Sequence, residues 1–382
     1  MRILLIIDSL GSGGAQRQIV NLATGLKGLG HHIEMFIYHP ELDFYKPLII
    51  KSNIGLIGYE KTHRISFRML IKLRQLIKSK SYDAIISFLE VPNFYAEICS
   101  IGIKTIPLIA SERSSFGDHP ISLSKKLLRQ FHRKAAAVTV NSFCAKNKLA
   151  NMFPWLGTKL CVIYNGIDLD LFKPAPKHIQ NSTTKLIAVG SVTKVKNPLG
   201  LVRALEIYVN RYDKSLSIDW VGRVYNPMNN DIFQEVNRFL VEHNLKNNWR
   251  WVGETKQVEN LLPNYDALIH PSYLEGLSNA ICEALACGLP ILSGDVGDNP
   301  VLIGNNQRGI IFNQNNPESI ASAIRQFVRM PLEKKIEMKH NARAFAEKVL
   351  SLREYTKRYE ELIYKLKERK LNWNASASLP PV

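Results

Sequence analysis

Short apolar runs alternate with amphipathic stretches along almost the whole chain, and the series starts afresh near residue 185. Parallel strands need a crossover between them, usually a helix, so this alternation predicts α/β units built on parallel sheets. The first strand series falls at residues 2–7, 32–38, 83–88, 105–110, 136–140 and 160–163. The second falls at 185–189, 216–221, 249–252, 266–270, 289–293 and 309–312. Between them, LFKPAPKHIQNSTT at 171–184 carries prolines and small polar residues without periodicity, as a linker does. A chain of 382 residues also exceeds what one core usually supports. The expected fold is two Rossmann-like α/β domains, 1–170 and 185–350, with strand carboxyl ends lining a cleft between them. Residues 351–369 read as a long helix and 371–382 as a disordered tail.

The composition narrows the class. No apolar run approaches the roughly 18–20 residues that span a bilayer. The opening MRILLIIDSL is interrupted by Asp8 and reads as a buried first strand rather than a signal peptide. Five scattered cysteines with no CxxC spacing point to a reducing cytosol and away from a metal site or disulfide framework. The formal charge of +17 is concentrated early: residues 1–180 carry 24 Lys/Arg against 12 Asp/Glu, the remainder 26 against 21. Such an excess predicts a polyanionic partner, whether nucleic acid, anionic lipid or a phosphorylated substrate. No helix-turn-helix, zinc or RNP pattern supports the nucleic-acid alternative.

Residues 266–290, DALIHPSYLEGLSNAICEALACGLP, carry the densest signal. An apolar strand runs into a Pro-Ser turn, then Glu275 and Gly276, then a helix starting near Ser278. The first backbone N–H groups of that helix, at Leu277, Ser278 and Asn279, would form an anion site suited to a diphosphate. Glu275 would face the group beyond the phosphates, and Glu283 would accept hydrogen bonds from a ribose diol. Two carboxylates flanking a phosphate-binding helix end describe a nucleotide sugar. An isolated Glu pair of this kind would ordinarily be solvated, with Ser278 a plain N-cap.

The segment PSYLEGLSNAICEALACGLPIL resembles the signature of glycosyltransferase family 4, retaining enzymes of the GT-B fold. GSGGAQRQIVNLATGL, IYNGIDLDLFKP and AVGSVTKVKNPLGLVRAL extend the resemblance over nearly the whole chain. It implies that Glu275 binds hydroxyls of the donor sugar and Glu283 the ribose. It also implies that a helix at 351–370 crosses back to the first domain. Lys196, in the loop Gly190–Pro198, would offset the charge of the departing diphosphate. The family usually places an Arg directly after the strand glycine, where this chain has Ser191. Lys194 or Arg223 would then supply the missing charge, the alternative for Lys194 being a solvated side chain.

In the first domain, Gly11-Ser-Gly-Gly-Ala-Gln is not GxGxxG, because Gln16 stands at the third glycine. Glu34 nonetheless lies at the spacing of a dinucleotide-binding acid, which keeps an NAD-dependent oxidoreductase as the rival enzyme class. On the transferase reading, Gly14 approaches the donor phosphates and Gly13 the acceptor, unless both serve only a tight turn. Several members of the family carry a His at a strand end where this chain has IASERSSF, so Glu112 or Arg113 would position the acceptor. The family's same-face attack uses the donor phosphate as proton acceptor and needs no dedicated base. His31, His32 and His270 are read as structural.

Two basic helices complete the picture. In residues 61–80, Arg64, Arg68 and Lys72 lie across from Ile65, Met69, Leu73 and Leu76. In 124–135, Lys125, Lys126 and Arg129 are joined by Arg133 and Lys134. Spacing alone allows a core-packed helix with a soluble face; the family tilts the reading to an anionic membrane surface. The expectation is a hexosyl- or N-acetylhexosaminyltransferase using a UDP-sugar without metal or other cofactor. Its acceptor would be a lipid-linked glycan at the inner face of the cytoplasmic membrane, with no nucleic-acid partner.

Overall fold

The computed structural model describes residues 1–61, 66–113, 122–175, 183–212, 215–255 and 257–368. They form two compact units: Met1–Gly166 with the C-terminal segment from Leu352, and Ile167–Ser351.

The first unit is built on a seven-stranded parallel sheet: β1 (Arg2–Ile6), β2 (His32–Ile37), β3 (Gly55–Gly58), β4 (Ala84–Phe88), β5 (Leu108–Glu112), β6 (Ala137–Val140) and β7 (Leu160–Val162), in the order β3-β2-β1-β4-β5-β6-β7. β3 was not foreseen. Its sequence, GLIG, offers only two apolar residues between glycines and sits half-exposed at the sheet edge, too weak a pattern to register. The central strands are buried on both faces, so they read as continuous apolar runs.

The last helix, Leu352–Lys367, belongs to this unit. It brings Tyr355, Tyr359, Leu362 and Ile363 into the same core as Ile19, Leu22, Ala23 and Leu26 of the helix Gly14–Gly28. Gly25 permits that approach, since a Cβ there would lie 2.1 Å from Thr356 Oγ1. Gln18 grips Gly166 with both amide atoms, at 3.1 and 2.8 Å, and its own carbonyl accepts from Tyr355 Oη.

The second unit carries a six-stranded parallel sheet: β8 (Thr184–Val189), β9 (Leu216–Val221), β10 (Trp249–Gly253), β11 (Ala267–His270), β12 (Ile291–Gly294) and β13 (Gly309–Phe312), in the order β10-β9-β8-β11-β12-β13. The unit begins at Ile167 rather than within a linker at 171–184. Ile167 N donates to Leu350 O at 2.7 Å, and Arg343 Nη1 donates to the carbonyls of Phe172 and Ala286 at 2.9 and 2.7 Å. Residues 167–175 are thereby fastened to the second unit, while 176–182 and 371–382 lie outside the described residues.

Strand order reverses between β8 and β11, so the loops leaving their carboxyl ends diverge and open a crevice. Those two loops are Gly190–Asn197 and Pro271–Ser278.

Candidate active site

The loop after β8 tightens into one short turn, Lys194–Lys196, and passes to the helix Pro198–Arg211 through Asn197. Asn197 adopts φ +56°, a conformation asparagine tolerates well, and caps the helix by accepting from Gly200 N at 2.9 Å. Its amide also donates to the carbonyls of Pro271 and Gln314, at 3.1 and 3.0 Å. Tyr273 N donates to Val195 O at 2.8 Å. One buried side chain and one backbone bond therefore lock the lysine loop to the glutamate loop. Sequence reasoning passed over Asn197; an asparagine directly before a helix-starting proline was the available signal.

On the other loop, Ser278 caps the helix Asn279–Ala286, its Oγ accepting from Ile281 N at 3.4 Å. Glu283 lies buried on this helix. Gly297, at φ +56°, packs on the preceding turn, where a Cβ would lie 2.6 Å from Glu275 O and 2.7 Å from Gly276 O. Only glycine fits there, and the loop after β12 thereby braces the peptide bearing Glu275.

These braces bring Lys196, Glu275 and His270 together. Lys196 Nζ lies 2.5 Å from Glu275 Oε1, and His270 Nε2 lies 2.9 Å from the same oxygen. Ser272 Oγ is 3.1 Å from His270 Nε2. Burial pushes the Glu275 carboxyl up, but the His270 hydrogen bond and the Lys196 ammonium outweigh it and hold the pKa at about 2. His270 is thus a neighbour of the Glu275 carboxylate, a placement that the four intervening residues of turn concealed.

The remaining candidates of this unit are spread around the crevice. Ser191 is partly buried and Lys194 exposed. Arg223 is joined to the β8 loop through its carbonyl, which accepts from Val192 N at 2.9 Å. Its exposed guanidinium pairs with Glu254 at 2.7 Å and lies over the Tyr225 ring.

The first unit corrects several expectations. Glu112 and Arg129 are both buried, with 1% and 2% of their surface exposed, and pair at 2.8 Å. Arg129 also holds Glu90 at 3.0 Å, and His132 bridges Glu112 and Glu97 at 3.0 and 2.5 Å. Arg129 is therefore a core cation rather than a membrane-facing one, and Glu112 is committed to it rather than to an acceptor. Arg113 is tied to Ser111, Asn165 and Tyr359 at 2.8, 2.6 and 2.7 Å, and stacks on Phe88. Glu34 is engaged by Arg2, Lys80 and Tyr82, which removes the acid a dinucleotide would need. Gly13 and Gly14 start the helix Gly14–Gly28, and Gln16 Nε2 turns back to Asp8 Oδ1 at 2.9 Å. Arg64 lies outside the described residues. Arg68, Lys72, Lys125 and Lys126 are exposed.

The model of the family described as glycosyl transferases group 1 matches residues 172–365, and that of glycosyltransferase family 4 matches residues 12–171. The chain is similar to the UDP-Gal:alpha-D-GlcNAc-diphosphoundecaprenol alpha-1,3-galactosyltransferase of Escherichia coli, at 24% identity over 74% of this chain and 73% of that protein. It is also similar to the N-acetylgalactosamine-N,N'-diacetylbacillosaminyl-diphospho-undecaprenol 4-alpha-N-acetylgalactosaminyltransferase of Campylobacter jejuni, at 23% identity over 84% of this chain and 88% of that protein. Among solved structures, Anabaena HepE in complex with UDP superposes with a TM-score of 0.83 at 18% identity, covering 96% of this chain and all of that one. Two parallel-sheet Rossmann-like units, the crevice loops and these matches agree: the chain belongs to the glycosyl transferases group 1 and is a glycosyltransferase of the GT-B fold, with a family 4 N-terminal half.

Proposed function

We propose that this glycosyltransferase moves a hexose or N-acetylhexosamine, with retention, from a UDP-sugar to a lipid-linked glycan acceptor at the inner face of the cytoplasmic membrane. The observation that carries the reading is the Lys196–Glu275 pair at the switch point of the second sheet, beside the N-terminus of the helix Asn279–Ala286. The amides of Leu277, Ser278 and Asn279 and the Lys196 ammonium would receive the diphosphate, with Ser191, Lys194 or Arg223 beside it. Glu275 would take a sugar hydroxyl and Glu283 the ribose diol. In the transfer, the bond from C1 to the diphosphate oxygen breaks while the acceptor oxygen bonds C1 on the same face. The acceptor proton passes to the leaving phosphate, so no side chain serves as base, and positive charge on the protein takes the place of a metal. The acceptor chemistry is supported by the diphosphoundecaprenol-linked substrates in the names of the Escherichia coli and Campylobacter jejuni relatives.

Membrane contact is supported by two surface helices of the first unit. Phe67 and Ile71 stand exposed beside Arg68 and Lys72, and Leu123 and Leu127 stand exposed beside Lys125 and Lys126. Apolar groups set among cations suit an anionic interface. No helix among the described residues is long and apolar enough to cross a membrane.

A panel of nucleotide sugars tested with a polyprenyl-diphosphate-linked glycan, with and without EDTA, examines the whole reading. A UDP-sugar should give acceptor-dependent UDP release with retained anomeric configuration in the presence of EDTA. Inverted product, or transfer that requires added divalent metal, would overturn the mechanism.

A further inference from the structure

Lys196 has two prospective partners, and only one of them is permanent. Its Nζ lies 2.5 Å from Glu275 Oε1, a charge-assisted bond of the short, strong kind. The reading above gives the same ammonium to the donor diphosphate, which carries more negative charge than one carboxylate. His270 Nε2 meets Oε1 as well, so both donors crowd one oxygen, and Oε2 carries no hydrogen bond among the described residues. His270 is itself fixed: it is buried at the end of β11, its carbonyl accepts from Ser293 Oγ at 3.3 Å, and Ser272 Oγ sits against its ring.

We infer that Glu275 and the donor diphosphate compete for Lys196, and that His270 is the positioning residue that keeps the Glu275 carboxylate in place once Lys196 has moved to the phosphates. The inference rests on the nucleotide-sugar reading of this site. In the free protein, Lys196 neutralises Glu275 and holds the turn Pro271–Ser278. On donor binding the ammonium swings to the diphosphate, and Glu275, still bonded to His270, turns a freed Oε1 or the open Oε2 to a sugar hydroxyl. UDP alone takes the lysine and gives the carboxylate nothing in return. A complete UDP-sugar supplies both halves of the exchange.

The competition makes a counterintuitive expectation. Glu275→Gln should abolish most transfer yet bind UDP more tightly than wild type by calorimetry, roughly threefold or more, the scale of one partly exposed ion pair. In a Lys196→Ala background the same substitution should leave UDP affinity unchanged, because the competition is gone. His270→Ala should lower kcat roughly tenfold or more while the Kd for UDP stays within about twofold, and His270→Gln should restore part of the loss. Wild type that binds UDP while Glu275→Gln binds it no more tightly would overturn the exchange. A folded His270→Ala that keeps its kcat, or loses UDP affinity in step with kcat, would overturn the positioning role. Wild type that binds no nucleoside diphosphate would overturn the donor reading beneath both.

Discussion

Gly222 lies so close to Gly190 that a Cβ on it would stand 2.0 Å from the Gly190 carbonyl oxygen and 3.1 Å from Ser191 N. The turn after β9 is thereby pressed against the start of the lysine loop, and Trp220 Nε1 donates to the same carbonyl at 2.8 Å. Both obstructing groups are backbone, so nothing flexible can yield. Gly222→Ala should destabilise the second unit by about 1–3 kcal/mol, the usual range for overpacking. It should also weaken UDP binding, because Ser191 and Lys196 are displaced together. Urea unfolding and calorimetry on the same variant check both halves, and unchanged UDP affinity would separate this turn from the site.

The depressed Glu275 pKa sets a second expectation. A carboxyl ordinarily near 4.5 and held at about 2 in the fold stabilises the protein by about 3 kcal/mol when ionised in both states. Because the folded value is the lower one, that contribution is present above pH 4.5 and fades as pH falls towards 2. Wild type should therefore exceed Glu275→Gln in stability at pH 6, and the gap should close on acidification. Chemical denaturation at pH 6, 4 and 3 measures it. Between pH 5 and 8 no limb of the activity profile should arise from Glu275.

The buried cluster of the first unit should respond to pH in the opposite direction. Burial pulls the His132 pKa down, but hydrogen bonds to Glu112 and Glu97 outweigh it and raise it to about 9. A folded value above the ordinary 6.5 gives a contribution complete below pH 6.5 and lost as pH rises through about 9. Wild type should thus lose stability over that interval, and His132→Gln should flatten the slope. Differential scanning calorimetry from pH 6 to pH 9.5 supplies the comparison.

Arg129 separates core from surface in a single measurement. Arg129→Ala removes the buried cation shared by Glu90 and Glu112, leaving Glu112 only His132, and should cost about 3–5 kcal/mol. Replacing Arg68, Lys72, Lys125 and Lys126 together by Gln should instead leave the melting temperature nearly unchanged. Each exposed cation near an anionic leaflet contributes on the order of 1 kcal/mol, so the fourfold variant should lose most sedimentation with phosphatidylserine vesicles at low salt. Sedimentation equal to wild type would remove these helices from the membrane surface.

The strand plan was legible because buried parallel strands write themselves as apolar runs, and the second sheet was anticipated strand for strand, with ends shifted by no more than a residue or two. Glu275 and Ser278 were legible because strand, turn and helix follow one another in a single stretch of chain. The misreadings share a cause. Arg129 falls in a row of cations whose spacing shows an exposed helix face, whereas its partners Glu90 and Glu112 come from 39 and 17 residues away. Glu112 looked available for the same reason. The Asn197 amide and the bare Cα of Gly297 meet backbone groups from distant loops; the Asn-Pro order signals the helix cap, but nothing in sequence signals those long-range contacts.

The ribosome emits the chain in one direction, and the helix Leu352–Lys367 follows the whole of the second unit. Until it appears, the first unit lacks Tyr355, Tyr359, Leu362 and Ile363, and the face of the helix Gly14–Gly28 that they cover stays open to water. The second unit, Ile167–Ser351, has by then been synthesised whole. Order of birth and order of completion are therefore reversed: the half of the molecule made first is finished second. A polypeptide halted at Ser351 would carry a complete second unit and an unfinished first one, its open face exposed to proteases and chaperones until translation resumed.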